Sequence, residues 1–184
     1  MDHATLLKAA QRLVRPDERI LLPGFIAEED RLHLLDWALS TEPYLRENGP
    51  ARLCKKTEFI PTVDARYHAV RLAIQRHMGL PDDSAPEPNH GWLVSIIKAG
   101  GQVHPHIDST PAGMRHLRCN LFLQLPEAGG RPVIQGVPID VSERMLLAFY
   151  PSERQHWSEP CAGDRARVML SFGYIVPADY RLPG

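Results

Sequence analysis

Trp92-Leu93-Val94-Ser95-Ile96-Ile97-Lys98-Ala99-Gly100-Gly101-Gln102-Val103-His104-Pro105-His106-Ile107-Asp108 is the stretch where the sequence changes its period. Before it, apolar residues recur every three or four positions. From Trp92 onward the chain breaks into short alternating or β-branched runs at 92–98, 103–108, 117–125, 131–141, 144–150 and 165–176, parted by Gly, Pro and polar turns. These are strand signals. Helices first and strands afterwards argue for an α+β fold rather than a parallel sheet of βαβ units, and many short strands suit a closed barrel or a jelly roll. An extended backbone over 103–108 sends His104, His106 and Asp108 to one side and Val103 and Ile107 to the other.

Upstream, Leu6, Leu7, Ala10, Leu13 and Val14 predict a short amphipathic helix that stops before Pro16. Ile20-Leu21-Leu22-Pro23-Gly24-Phe25 reads as a strand and turn. In a second helix, Glu28, Glu29 and Asp30 sit in the first turn, where the dipole favours acids. Leu32, Leu35, Ala38 and Leu39 line one of its faces, and it runs to about Ser40. In the segment 42–61, Pro43, Gly49 and Pro50 block long helices, which reads as a surface loop of the kind that selects substrates. Thr62 is positioned to cap a third helix carrying Val63, Tyr67, Val70, Ile74 and Met78 and stopped by Gly79-Leu80-Pro81. The polar, proline-rich run 82–89 is too short to divide domains. The expectation is a single domain over 1–184, helical to about residue 80 and β-rich over about 90–177.

A chain of 184 residues suits one domain with a real core. A formal charge of −1 gives no overall pull towards nucleic acid or anionic lipid. Cys54, Cys119 and Cys161 are odd in number and lack zinc-type spacing, so reduced thiols and a cytoplasmic protein are expected. The acid-bearing N-terminus does not read as a secretory signal, and no run approaches the roughly 18–20 apolar residues of a membrane helix.

The strand-borne His106 and Asp108 offer adjacent corners of a metal's coordination sphere, and His156, in Ser152-Glu153-Arg154-Gln155-His156-Trp157-Ser158-Glu159-Pro160, is the third ligand that chain order provides. Two His and a carboxylate form the facial triad that leaves open positions on non-haem Fe(II). His104, His106 and His156 would instead make the three-histidine site of catalytic zinc. Asp108 is the harder ligand and favours iron, which leaves His104 to contact a ligand or the substrate, or to a structural role. Taken alone, a His-x-Asp pair is an ordinary polar strand edge. Further on, Arg165, Arg167, Met169 and Ser171 share a strand face, with Ala166, Val168, Leu170 and Phe172 opposite. The two arginines face either solvent or an internal cavity, where a guanidinium forks a carboxylate.

His106-x-Asp108, Gly129-Gly130, Phe149-Tyr150-Pro151-Ser152 leading to His156, Pro160, Gly163 and Arg167-x-x-x-Ser171, after a Leu22-Pro23-Gly24-Phe25 opening, form an ordered set over most of the chain. That set resembles the Fe(II)- and 2-oxoglutarate-dependent oxygenases, most closely their prolyl-hydroxylase-like branch. The resemblance implies a double-stranded β-helix (jelly-roll) core with N-terminal helices packed on one sheet. It implies Fe(II) on His106, Asp108 and His156, and 2-oxoglutarate with its distal carboxylate on Arg167 or, failing that, Arg165. It also implies hydroxylation of a C–H bond with release of succinate and CO2, O2 as co-substrate and ascorbate as a supporting reductant.

The chain departs from the branch at two places. Lys98 stands where a tyrosine usually precedes the glycine turn, and Phe122 where a second tyrosine assists the cofactor. Arg118 and Asn120 share the face of Phe122 and can replace the lost hydrogen bonds, and Ser171 of Arg167-x-x-x-Ser171 joins them as a candidate cofactor contact; plain core and edge roles are the alternative for Arg118 and Asn120. These departures leave open whether the substrate is proline. The expected substrate is an amino-acid side chain, in a small molecule or a peptide, with no membrane partner and with charge arguing against nucleic acid. Trp37 and Tyr67 read as core, Trp157 as the substrate mouth or packing, and no cysteine as a nucleophile. Two rival readings are a cupin-like zinc or manganese enzyme and a metal-free binding domain. The cupin-like reading wants a glutamate where Ser109, Thr110 and Pro111 stand.

Overall fold

The computed structural model describes residues 19–183, so the helix expected over 6–14 lies outside the described residues. Two long strands, β5 (Met114–Gln124) and β12 (Arg167–Pro177), pair antiparallel at the centre of the main sheet. Around them lie β1 (Arg19–Leu22), β2 (Arg46–Glu47), β3 (Arg52–Lys56), β4 (Trp92–Ile97) and β9 (Leu146–Phe149), in the order β1-β9-β5-β12-β4-β3-β2. A smaller sheet has the order β10 (His156–Ser158), β7 (Pro132–Ile134), β8 (Val137–Pro138), and β6 (Ala128–Gly129) pairs with β11 (Cys161–Ala162).

Side-chain alternation divides the main sheet into two faces. Leu117, Cys119, Leu121 and Leu123 of β5 join Val94 and Ile96 of β4 and Val168, Leu170 and Phe172 of β12 in one buried cluster. Into the same cluster α1 (Glu28–Ser40) sends Leu34 and Ala38, and α2 (Ala65–His77) sends Tyr67, Val70 and Ile74. The opposite face of the sheet carries Phe122, Leu147, Phe149 and Met169, which meet Ile134 and Ile139 in a smaller core. Each fully buried Leu contributes about 1.5–3 kcal/mol. Exposed ion pairs such as Arg76–Asp82 are screened by solvent and add little, so the helix-side core dominates stability. A one-residue slip of β5 would drive Arg118 into that core, which pins the register.

The acids Glu28, Glu29 and Asp30 occupy the first turn of α1. α2 begins later than the sequence suggests: Asp64, not Thr62, caps it by accepting the Arg66 N–H at 2.7 Å. The segment 42–61 is not the loop expected. It holds the β2–β3 hairpin, whose second strand pairs Arg52 with Ile97 and Lys56 with Leu93. Pro43, Gly49 and Pro50 exclude helix but do not stop a short strand from taking the free edge of β4. The N-terminal part is therefore not purely helical.

The expected strand over 131–141 is a hairpin, β7 and β8, joined by Gln135 and Gly136 at φ 51° and 77°. Two consecutive positive φ values fit the tight turns that match strand twist. Trp37 and Tyr67 pack together, ring centroids 5.3 Å apart, in or against the helix-side core as read. No helix among the described residues is long and apolar enough to cross a membrane.

Candidate metal centre and its cavity

Pro105 has no N–H to give to a ladder, so residues 103–108 form a strap rather than the strand expected. The strap is joined to the segment 151–158 by four backbone bonds. His106 N–H donates to His156 O (3.1 Å), His156 N–H to His106 O (2.9 Å), Asp108 N–H to Pro151 O (3.0 Å) and Ser158 N–H to Val103 O (3.1 Å). This pairing brings His156 to the His-x-Asp pair. His106, Asp108 and His156 each offer a ligand atom within 4.8 Å of the others, and the two imidazole centroids are 4.2 Å apart.

The Nδ1 atoms of His106 and His156 lie 2.7 and 3.0 Å from the carbonyls of His104 and Arg154. A carbonyl only accepts, so each Nδ1 donates and, in the neutral ring, the lone pair falls on Nε2; in His106 that Nε2 faces Asp108 Oδ1 and gives up its proton on ligation. This is the tautomer that backbone contacts enforce in metal-binding histidines. His104 thus supplies its carbonyl to the site. Its ring is exposed beside Gln102 and lies outside the three-residue cluster, although His104 does line the cavity.

Asp108 is held from several sides. His106 Nε2 lies 3.3 Å from its Oδ1, while Arg118 Nη2 and His116 Nδ1 lie 3.5 and 3.4 Å from its Oδ2. Burial alone would raise its pKa, but the His106 hydrogen bond and the charges of Arg118, His116 and His156 outweigh burial and hold it well below the usual carboxylate range. The Asp108 hydrogen bond raises the pKa of His106. Burial pushes His156 down to about 4, and burial with the Arg118 charge does the same to His116. Both are thereby kept neutral near pH 7, as ligation requires of His156.

Arg118 also reaches Glu87 Oε1 (3.2 Å), the Gly91 carbonyl (3.2 Å) and Ser171 Oγ (3.4 Å). Glu87, itself buried, accepts the backbone N–H groups of Asn89, His90 and Gly91 at 2.8, 2.5 and 2.9 Å. Gly173 lies beneath this pair: a Cβ there would come 2.7 Å from Glu87 Cγ and 3.0 Å from Arg118 Cζ. Sequence reading missed Glu87 and His116. His116 was within reach, because it shares the β5 face of Arg118 and Asn120; Glu87 stands in an aperiodic connection and gave no signal.

A cavity of about 430 Å³ opens beside the three candidate ligands, lined among others by Arg118, Asn120, Phe122, Arg167 and Ser171. Arg167 is 3 % exposed, donates to Gly130 O at 2.8 Å and leaves its Nε without a partner. Burial lowers its pKa to about 10, so it stays cationic at neutral pH. Gly129 permits the close approach of β6 to the segment 160–161, since a Cβ there would lie 2.0 Å from Pro160 O. Asn120 accepts the Ser171 hydroxyl at 2.7 Å, so these two satisfy each other in the wall.

Arg165 precedes β12, lies outside the cavity lining and pairs with Glu143 at 2.5 Å. Lys98 is likewise outside, ion-paired with Glu42. Trp157 lines the cavity. The three cysteines are free, and burial pushes the Cys119 thiol up to about 12, too high for a nucleophile.

No family model matches the chain, and no curated protein matches its sequence. Solved structures do match its fold. A prolyl-4-hydroxylase of Pseudomonas putida superposes with a TM-score of 0.64 at 18 % identity, over 93 % of this chain and 98 % of that one. A Trichoplax adhaerens prolyl hydroxylase, in complex with a peptide fragment of hypoxia-inducible factor, gives 0.65 at 14 % identity over 96 % and 94 %. The chain shares the fold of the prolyl hydroxylases. The epimerase SnoN of nogalamycin biosynthesis, in complex with Fe3+, α-ketoglutarate and a nogalamycin compound, gives 0.64 at 15 % identity over 96 % and 85 %. The shared fold thus hosts more than one outcome.

Proposed function

We propose that the protein is an Fe(II)- and 2-oxoglutarate-dependent oxygenase that hydroxylates a C–H bond of an amino-acid side chain, free or within a peptide. The observation that carries this reading is the convergence of His106, Asp108 and His156 with both imidazole Nδ1 atoms held by backbone carbonyls and both Nε2 atoms turned into the cluster, beside a cavity that holds a buried guanidinium. The structure of SnoN, a non-haem α-ketoglutarate-dependent epimerase of the same fold, supports it. We further read the described chain as a single oxygenase domain whose main and small sheets form the jelly-roll core.

The donor set fits the group it would hold. Two imidazoles, neutral once they ligate, and one ionised carboxylate suit Fe(II) and leave coordination positions open. Arg167, charged, buried and with its Nε unpartnered, is built to receive the distal carboxylate of 2-oxoglutarate. Asn120 and Ser171 form the wall between Arg118 and that anchor. When bound, iron with 2-oxoglutarate supplies oxidation by O2, with succinate and CO2 released. The protein's own residues do the rest. The backbone carbonyls of His104 and Arg154 orient the two imidazoles, and Arg118 turns one oxygen of Asp108 towards the ion by engaging the other. Phe122, Phe149 and Met169 keep water from the interior side.

The deciding assay measures succinate released from 2-oxoglutarate with Fe(II) and ascorbate, alone and with a panel of amino acids and peptides. Wild type is expected to form succinate, and Asp108→Ala to form none and to lose Mn2+ binding. Retained metal in Asp108→Ala would point to the three-histidine alternative. A melting temperature unmoved by Fe(II) and by 2-oxoglutarate would leave the metal-free binding domain.

A further inference from the structure

The β2–β3 hairpin forms one wall of the cavity, contributing Asn48, Gly49, Arg52 and Cys54. Arg52 and Arg167 are both paired with Ile97 of β4, from its two sides. Their Cα atoms therefore stand two strand spacings apart, roughly 10 Å. Alternation turns Leu53 into the helix-side core and Arg52 and Cys54 into the cavity. The Nε of Arg52 is buried and without a hydrogen-bond partner. Arg52 lines the same cavity as His106 and Arg167.

The cavity has charges left to satisfy. Asp108 is the one carboxylate among its lining residues, and His106, His116 and Arg118 already engage it. Glu87 neutralises Arg118 from behind. Among the described residues two guanidinium groups of the cavity, Arg167 and Arg52, have no acid partner, while 2-oxoglutarate brings one carboxylate beyond the end that meets the metal. From the small sheet, Val133, Ile134 and Trp157 supply an apolar part of the lining.

We propose that Arg52 anchors the substrate itself, and that the substrate is a carboxylic acid whose acid group docks on the β2–β3 hairpin while its apolar part lies against Val133, Ile134 and Trp157. This rests on the oxygenase reading, because it assigns Arg167 to 2-oxoglutarate. A single guanidinium beside the neutral Asn48 matches a monoanionic carboxylate better than a dianionic phosphate ester. The carboxylate is either a chain terminus or an acidic side chain.

The test uses the full chain loaded with Mn2+ and saturating 2-oxoglutarate, with both ligands first shown to bind. Failure at that stage removes the oxygenase reading; success there isolates the Arg52 proposal. Paramagnetic broadening of probe resonances by Mn2+ is then measured for N-acetylalanine, N-acetylalaninamide, the α-carboxamide of N-acetylaspartate and acetyl phosphate. Wild type is expected to favour at least one carboxylate probe over N-acetylalaninamide by about tenfold or more, as a charge-assisted pair allows. That preference is lost in Arg52→Gln and partly kept in Arg52→Lys, with unchanged circular dichroism confirming fold in both. Preference for N-acetylalanine identifies a terminal carboxylate, and preference for the aspartate derivative a side-chain acid. Equal broadening of acids and amide, stronger broadening of acetyl phosphate, or a preference that survives Arg52→Gln overturns the proposal. So does an Arg52→Gln variant that weakens 2-oxoglutarate as much as Arg167→Gln does.

Discussion

Arg118 and Arg167 are both buried in the wall of one cavity and both project from central strands of the same sheet, but their surroundings differ. Arg118 meets Glu87, Asp108, Ser171 and the Gly91 carbonyl. Arg167 has a single hydrogen bond among the described residues, to Gly130 O. A guanidinium enclosed by carboxylates is part of the scaffold, and removing it strands buried charge. One enclosed by a carbonyl and empty space carries a standing desolvation penalty that an incoming anion relieves. Residue type and burial are alike at the two sites; partnership separates fold from function.

The contrast can be broken most directly at Arg118. Arg118→Met leaves Glu87 and Asp108 buried without their cation and is expected to cost about 3–5 kcal/mol in urea denaturation. Arg167→Met, by contrast, should unfold at the same urea concentration as wild type or a higher one. An equal loss in both variants would erase the distinction.

The next effect is on ligand affinity. Arg167→Gln should raise the 2-oxoglutarate requirement by about ten- to a hundredfold while Mn2+ affinity stays within a few-fold. Isothermal titration of each ligand separates the two. A smaller change is expected from Glu87→Gln, which keeps the shape of the Arg118 clamp but removes its charge. Mn2+ affinity measured by electron paramagnetic resonance should fall about tenfold, as when other groups that hold ligand side chains are altered.

The smallest effect sharpens the electrostatic account. His116 and His156 have folded pKa values near 4, below the ordinary 6.5, so the fold favours their neutral forms. Protonation then favours the unfolded chain. Their contribution is fully present above about pH 6.5 and is lost as pH falls from there towards 4. Denaturation of the metal-free protein at pH 7 and pH 5 should differ by on the order of 1 kcal/mol per imidazole. In His116→Asn the pH dependence should shrink.

Much of the architecture was legible because it depends on local geometry. The pleat alone sorts Leu117, Cys119 and Leu121 from Arg118, Asn120 and Phe122, and the same period separates Arg167, Met169 and Ser171 from Val168, Leu170 and Phe172. His106, Asp108 and His156 could be nominated from donor chemistry and order. Less legible was the 42–61 segment, where helix-blocking residues masked a hairpin that takes its hydrogen bonds from β4. Alternation makes 103–108 read as a strand, but Pro105 keeps it from laddering, and the single His106–His156 bridge needs a partner distant in the chain.

Sequence by itself determined which side chains share a face, since side-chain direction follows from backbone period and chirality. It determined the inventory of donors, acids and guanidinium groups as well. Only the tertiary structure decided that Arg165 pairs with Glu143 outside the cavity, that Glu87 arrives from a loop to neutralise Arg118, and that Arg52 and Arg167 are left facing open space. The reason is physical. The fate of a charge depends on the partners that packing brings within a few ångströms, and those partners come from parts of the chain that no local pattern connects.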